Sequence, residues 1–210
     1  MKKTFLWSLI LAGTSFMYAG CSKEPLKDLT TEESRIYITD HDSSIIFSDY
    51  KTYSIADSVA IIQNGQATHQ LDNSDAAYID AVKKYMTASG FTLVAKDQNP
   101  DLGVNVNHII NTSTGVISYG DYWDDYGGYW DPYYWGYGGY GYYVPYAYSV
   151  YQINEGAIST DILDLKDAAT KNKIDVVWTG LIRGPEIFNA NVADSQVKAL
   201  FDQSPYLKTN

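Results

Sequence analysis

A stretch rich in tyrosine, glycine and tryptophan divides this chain and limits how it can fold. From Tyr119 to Tyr143 the sequence is YGDYWDDYGGYWDPYYWGYGGYGYY, with no Lys or Arg and no aliphatic side chain. Glycine at this frequency cannot be held in a regular helix or strand without a large entropic cost. We therefore predict a long excursion between strands, at about residues 118–151. Loops of this length in a domain are usually functional or disordered.

Three interpretations of this aromatic tract are compatible with its composition. It is a low-complexity mobile insertion, a contact surface built from amphipathic Tyr and Trp side chains, or a calcium loop. The partner of a contact surface would be an envelope protein or a glycan such as peptidoglycan. Spacing disfavours the calcium loop, because the acidic residues do not alternate and no bidentate Glu follows. The candidate surface residues are Tyr122, Trp123, Tyr129, Trp130, Tyr134 and Trp135, and the acidic residues are Asp121, Asp124, Asp125 and Asp131.

The N-terminus has the pattern of a lipoprotein signal. Lys2 and Lys3 precede an apolar run, and the small residues Ala19 and Gly20 stand directly before Cys21, the only cysteine in the chain. This pattern predicts a signal peptide over residues 1–20 that is removed, leaving Cys21 as the acylated first residue. Several acyl chains on one residue are enough for stable anchoring in a bilayer. We expect the lipid bilayer to be a partner through Cys21, and the outer membrane of the cell envelope to be the location.

Charge and composition limit the molecules that this protein can bind and the way its domain can be stabilised. The net charge of −10 argues against nucleic acid as a partner. Residues 21–34 are predicted to be the lipidated cysteine and a flexible tether, and residues 35–210 to be a single domain. No cysteine remains there for a disulfide, so the fold must depend on the burial of apolar surface. We expect the domain to remain folded when residues 119–143 are deleted from it.

Hydrophobic periodicity predicts the elements of that domain. Residues 36–39 alternate as a strand, residues 45–55 form a second extended stretch, and Asn64-Gly65 is a hairpin signal. A helix is predicted from Ser74 or Asp75 to Gly90, with its apolar side chains on one face. Leu102, Val104 and Val106 alternate with polar residues, which predicts a strand with one buried face and one solvated face.

The C-terminal part predicts two more strands and a helix. Residues 157–165 and 174–182 are strand-like, and the short segment between them suits an antiparallel pair. A last helix is predicted over residues 191–203. The order β-β-α-β-β-β-α indicates an α+β fold, a mostly antiparallel sheet with two helices packed on one face and a long Tyr/Gly-rich loop.

No residue pattern indicates catalysis, and the sequence predicts neither an enzyme nor a metal or other cofactor. The histidines His41, His69 and His108 have no metal-ligand spacing. Asp161 and Asp164 are spaced carboxylates, but on a strand they point to opposite faces. We expect them to end or solvate a strand rather than to share a proton. Two roles are left open for Trp178 and Gly180 on the last strand, a close packing contact or the lining of a groove.

Short motifs in a fixed order carry a family resemblance. They include the segment from Phe47 to Tyr53, Pro100-Asp101-Leu102 opening a strand, and Val177-Trp178-Thr179-Gly180. The other motifs are Gly90-Phe91, Gly156-Ala-Ile158 leading to Asp161 and Asp164, and a final Phe201 with Pro205. With these motifs the chain resembles the bacterial lipoproteins grouped as domain of unknown function 4136. The resemblance implies an envelope lipoprotein with a small α+β domain, and it brings no known activity or functional residues.

Overall fold

The computed structural model describes residues 29–63, 66–110, 116–118, 130, 132–145, 150–152 and 156–209. The chain divides into two units, Met1–Glu33 and Ser34–Asn210, and the elements below belong to the second. Of the first unit, residues 29–33 are described, and there Thr30 and Glu33 exchange hydrogen bonds. The predicted signal peptide, Cys21 and the first part of the predicted tether, up to residue 28, lie outside the described residues. Within the described part, no helix has the length and apolar character needed to cross a membrane.

The second unit is built of strands and three α-helices in the part of the chain that the structure describes. The strands are β1 Ile36–His41, β2 Thr52–Ile55, β3 Val59–Gln63, β4 Gln66–Gln70, β5 Thr92–Leu93, β6 Leu102–Ile110, β7 Val116–Ser118, β8 Gly141–Tyr143, β9 Val150–Gln152, β10 Ala157–Asp164 and β11 Lys173–Arg183. The helices are α1 Asn73–Ala88, α2 Ala168–Lys171 and α3 Ala193–Asp202.

Nine of the strands form one sheet with the path β1-β11-β10-β6-β2-β5. Strand β3 also pairs with β6 and carries β4 on its other edge, and β8 pairs with β11. Strands β7 and β9 form a separate antiparallel pair. The center of the sheet is therefore made of β11, β10 and β6, which are buried along nearly their whole length.

The prediction of a mostly antiparallel sheet needs correction, because the sheet is mixed. The antiparallel pairs are β1 with β11, β10 with β11, β10 with β6, and β3 with β4. Strands β2 and β3 run parallel to β6, β5 runs parallel to β2, and β8 runs parallel to β11. Helix α1 lies between β3 and β6 in the chain. A connection of this length that contains a helix returns the chain in the same direction, which produces parallel neighbours.

Helices α1 and α3 cover one face of the sheet. The N-cap of α1 is Asp72, which precedes both predicted caps, Ser74 and Asp75, and it forms a reciprocal capping box with Asp75. Gly90 follows α1 with a φ of 94°, as a residue just beyond a helix end requires. The helices and this face of the sheet share one hydrophobic core, which contains Tyr53, Tyr78 and Trp178.

Candidate functional site

The aromatic tract, where it is described, covers the face of the sheet opposite the helices. Trp130 and Trp135 belong to a second hydrophobic core together with Leu163, Val176 and Leu181 of the sheet. Strand β8 joins the sheet beside the start of β11. The described part of the tract is therefore a structural layer, and the sheet is covered on both faces.

Polar side chains of the sheet hold this layer in place. The indole N–H of Trp130 donates to Asn107 Oδ1 at 3.0 Å. Asn107 Nδ2 donates to Asp161 Oδ2 at 2.8 Å and lies 2.9 Å from Ser159 Oγ, and Ser159 Oγ donates to Asp161 at 3.0 Å. All four side chains are buried. Since buried polar groups are costly unless they are hydrogen-bonded, this network stabilises the contact between the tract and the sheet.

Strand β6 has no solvated face, contrary to its prediction, because the aromatic layer covers its polar side. Its predicted solvated face carries Gly103, Asn105 and Asn107, and all three are buried. The ring of Trp135 lies against Gly103, so close that a Cβ there would be 3.2 Å from the indole. The alternation in sequence was correct, but the polar side of the strand faces the aromatic layer instead of water.

The predicted surface residues have different positions. Trp130 and Trp135 are only 5% and 6% exposed, so neither forms part of the described surface. Tyr134 is half-buried, Lys96 Nζ lies 4.0 Å from its ring centroid, and burial raises the pKa of its hydroxyl. Tyr122, Trp123, Tyr129 and the four aspartates of the calcium alternative lie outside the described residues.

Other tyrosines of the tract face solvent. Tyr133 is 73% exposed and Tyr143 is 49% exposed, and sequence reasoning did not single out either one. The ring of Tyr133 rests on Gly138, where a Cβ would lie only 2.1 Å from a ring carbon. Lys173 Nζ lies 3.6 Å from the ring centroid of Tyr143. The two side chains are thus exposed but held by neighbours.

A groove lies between α1 and the sheet edge near β2 and β5. Its cavity volume is about 780 Å³, within the usual range of ligand sites. The groove is lined by the segment from Ser54 to Asp57, by Ala76 and Ile79 of the helix, and by Leu71 and Leu93. Leu71 is 58% exposed and Leu93 45% exposed, so large apolar side chains border the opening.

The two spaced carboxylates of β10 are buried rather than solvated. Asp161 is part of the polar network under the aromatic layer, and Asp164 ends the strand. Lys171 Nζ lies 2.9 Å from Asp164 Oδ2 and 2.8 Å from Asp175 Oδ2. Burial opposes the charge of Lys171, but its hydrogen bonds to Asp175 and Asp164 outweigh that effect and raise its pKa. The carboxylates of Asp161 and Asp164 therefore form hydrogen bonds or ion pairs with other side chains of the same domain.

A buried histidine–aspartate pair lies under α1. His108 Nδ1 is 3.3 Å from Asp75 Oδ1, and the rings of Phe188 and Tyr78 pack against the imidazole. Burial lowers the pKa of His108, although the nearby carboxylates of Asp75 and Asp72 oppose the change. Both side chains are almost fully buried, so the pair is a core contact. Among the described residues, no group of three His, Cys, Asp or Glu side chains could hold a metal ion.

Sequence reasoning missed the groove and the polar network. A signal for the network was present, because Asn105 and Asn107 on one strand and Ser159 and Asp161 on another repeat at every second residue. In the structure Asn107 pairs in register with Ser159, and Asn105 with Asp161. The groove had no comparable signal, since it depends on where β4 and β5 end.

Together these features define a small α/β domain whose sheet is covered by helices on one face and by an aromatic layer on the other. Residues 38–206 match the family described as domain of unknown function (DUF4136), and the chain belongs to that family. Among curated proteins, none matches the sequence.

The solved structures that are similar to this chain include the following two. The crystal structure of a DUF4136 family protein from Bacteroides thetaiotaomicron has 29% sequence identity and a TM-score of 0.70, covering 84% of this chain and 99% of that chain. A PDZ domain protein from Parabacteroides distasonis has 14% identity and a TM-score of 0.44, covering 83% of this chain and 37% of that chain. The second likeness is too weak to carry an argument about fold or function.

Proposed function

We propose that this protein is a non-enzymatic, lipid-anchored component of the cell envelope that acts through contacts with other envelope molecules. Support for the anchor comes from the sequence, in which the sole cysteine follows an apolar run and two small residues. Acylated Cys21 would hold the domain at the membrane, in the outer membrane by our expectation.

The exposed tyrosines of the aromatic tract are the observation that supports a contact role. Tyr133 and Tyr143 project from a layer that is fixed to the sheet by buried tryptophans. Tyr side chains on a rigid support supply large amphipathic contact area at low entropic cost, as binding surfaces require. An envelope protein is the favoured partner. Glycan stacking is less well supported, because two of the three tryptophans of the tract are buried.

The anchor is tested by metabolic labelling with radioactive palmitate. We expect label in the unmodified chain and none in Cys21→Ser, which should also leave the membrane fraction. Label that survives this substitution would refute the anchor.

The contact surface is tested by crosslinking in intact cells. Tyr133→Ala combined with Tyr143→Ala should remove specific crosslinked products while the domain stays folded, because both side chains are exposed. Ile46→Ala is the control, since Ile46 is 62% exposed and lies outside the tract. An unchanged set of products in the double variant would count against the proposal, and loss of retention on purified peptidoglycan would favour the glycan instead.

A further inference from the structure

The groove beside α1 coincides with a break in the sheet. Strand β5 lies along β2 only at Thr52 and Tyr53, and its last ladder bond is from Val94 N–H to the Tyr53 carbonyl at 2.9 Å. On the other side of the break, β4 lies along β3 from Val59 onward. In the described structure, neither β4 nor β5 extends along residues 54–58. We propose that an extended peptide of a partner protein binds in this break and adds a short strand to the sheet.

The backbone of Ile55 supplies the hydrogen-bonding groups that such a peptide needs. Ala56 N–H donates to the Val104 carbonyl, so Ala56 faces β6. Because backbone groups of a strand alternate in direction, Ile55 points its N–H and its carbonyl away from β6 and toward the break. Strand β5 pairs with β2 only as far as Tyr53, and in the described residues no turn or loop hydrogen bond to the Ile55 backbone takes its place. An extended peptide can pair with both groups at once, as a strand added to a sheet edge does.

The dimensions of the break suit a short segment. From Tyr53 to Val59 the chain spans at most about 20 Å at the usual rise of a strand, which accommodates roughly four to six residues. The apolar lining on the helix side includes Ile79 of α1, and Leu93 is in register with Tyr53 of the helix-side core. Alternate side chains of the peptide would face this apolar wall and the others would face outward. We therefore expect apolar residues at every second position of the partner segment.

The charges of the groove favour a neutral ligand. Asp57, Asp80, Lys83 and Lys96 lie around it, two of each sign. Each of them has a neighbour, since Lys83 pairs with Asp80, and Tyr134 contacts both Asp57 and Lys96. A charged small molecule would find no unbalanced charge here. An acyl chain would cover the Ile55 backbone without pairing it, which is unfavourable.

The test is a selection of random eight-residue peptides, displayed on phage, against the full chain purified from expressing cells. Enriched peptides are synthesised with capped ends, and their affinities are measured by fluorescence anisotropy. Ala76→Tyr places a large ring in the groove, and Ala88→Tyr makes the same change at an exposed position near the end of the same helix. We expect about tenfold weaker binding or more for Ala76→Tyr, and unchanged binding for Ala88→Tyr.

Methylation of single peptide amides tests the geometry without changing the protein. In an added strand only every second amide faces the sheet, so methylation should weaken binding at alternate positions. Hydrogen exchange at residues 52–58 should slow when a peptide is bound. No enrichment, or affinities that are insensitive to both Ala76→Tyr and methylation, would overturn the proposal.

Two further outcomes would assign the groove to another occupant and overturn the proposal. Displacement of the peptides by parinaric acid, with no pattern in the methylation series, would indicate an acyl chain. A dimer in analytical ultracentrifugation that Ala76→Tyr dissociates would indicate a second copy of this chain. None of these measurements depends on Cys21, Tyr133 or Tyr143, so they can fail while the proposed function stands.

Discussion

Gly180 shows how a single residue shapes the core under the helices. It lies two residues after Trp178 on β11, on the same face of the sheet, and the indole of Trp178 lies over it. A Cβ at position 180 would lie 2.5 Å from Trp178 and 2.8 Å from Leu200 of α3. Trp178 is fully buried, and its N–H donates to Ser204 Oγ at 2.9 Å. Of the two roles left open by the sequence, the structure shows the packing contact.

Replacement of this glycine is therefore expected to destabilise the fold. In Gly180→Ala, both the indole and Leu200 must move, and overpacking of this kind typically costs about 1–3 kcal/mol of unfolding free energy. Gly141→Ala is the control, because Gly141 is also in a strand and a Cβ there meets no atom within 4 Å. Urea unfolding should show a lower midpoint for Gly180→Ala alone. Equal midpoints would show that the contact is not tight in solution.

At the scale of elements, local sequence patterns predicted the helices and the strand pairing. They did not predict which distant segments of the chain cover each face of the sheet. The apolar faces of α1 and α3 and the pairing of β10 with β11 follow from periodicity and short connections. The solvated face assigned to β6 was wrong, because Asn105 and Asn107 look like surface residues until Trp130 is placed against them. The groove depends on where β4 and β5 end, and no local pattern encodes that.

The aromatic tract is the element for which the structure changes the expectation most. Removal of residues 119–143 would delete Trp130 and Trp135 from the second core, so the structure argues against the expectation that the fold survives. Trp135→Ala should lower the unfolding free energy by about 3–5 kcal/mol, as for other buried aromatic residues.

Tyr133→Ala in the same segment is the comparison for Trp135→Ala. Its side chain is 73% exposed, so we expect a change within about 0.5 kcal/mol. Thermal and urea unfolding of the full chain measure both variants. If Trp135→Ala were as stable as Tyr133→Ala, the described part of the tract would not be a layer of the fold in solution.

At the scale of the whole molecule, the fold unites a helix layer, one sheet and an aromatic layer. His108 lies where α1 meets the sheet, so its protonation affects the stability of the domain rather than one local contact. Burial holds its pKa below the ordinary value of about 6.5. The unfolded chain therefore binds a proton at a higher pH than the folded chain does. Between the two pKa values, the unfolding free energy must decrease as the pH falls.

We therefore expect the domain to lose stability between pH 7.5 and pH 5.5, with the His108 contribution fully present above about pH 6.5. In His108→Gln the contribution of this group is absent, so urea unfolding should show a smaller decrease over the same range. Groups that the two proteins share cancel in this comparison, so the difference between them reports on His108. If both proteins lose the same unfolding free energy, His108 is not held neutral by the core, and the packing of α1 against β6 is looser in solution than in the structure.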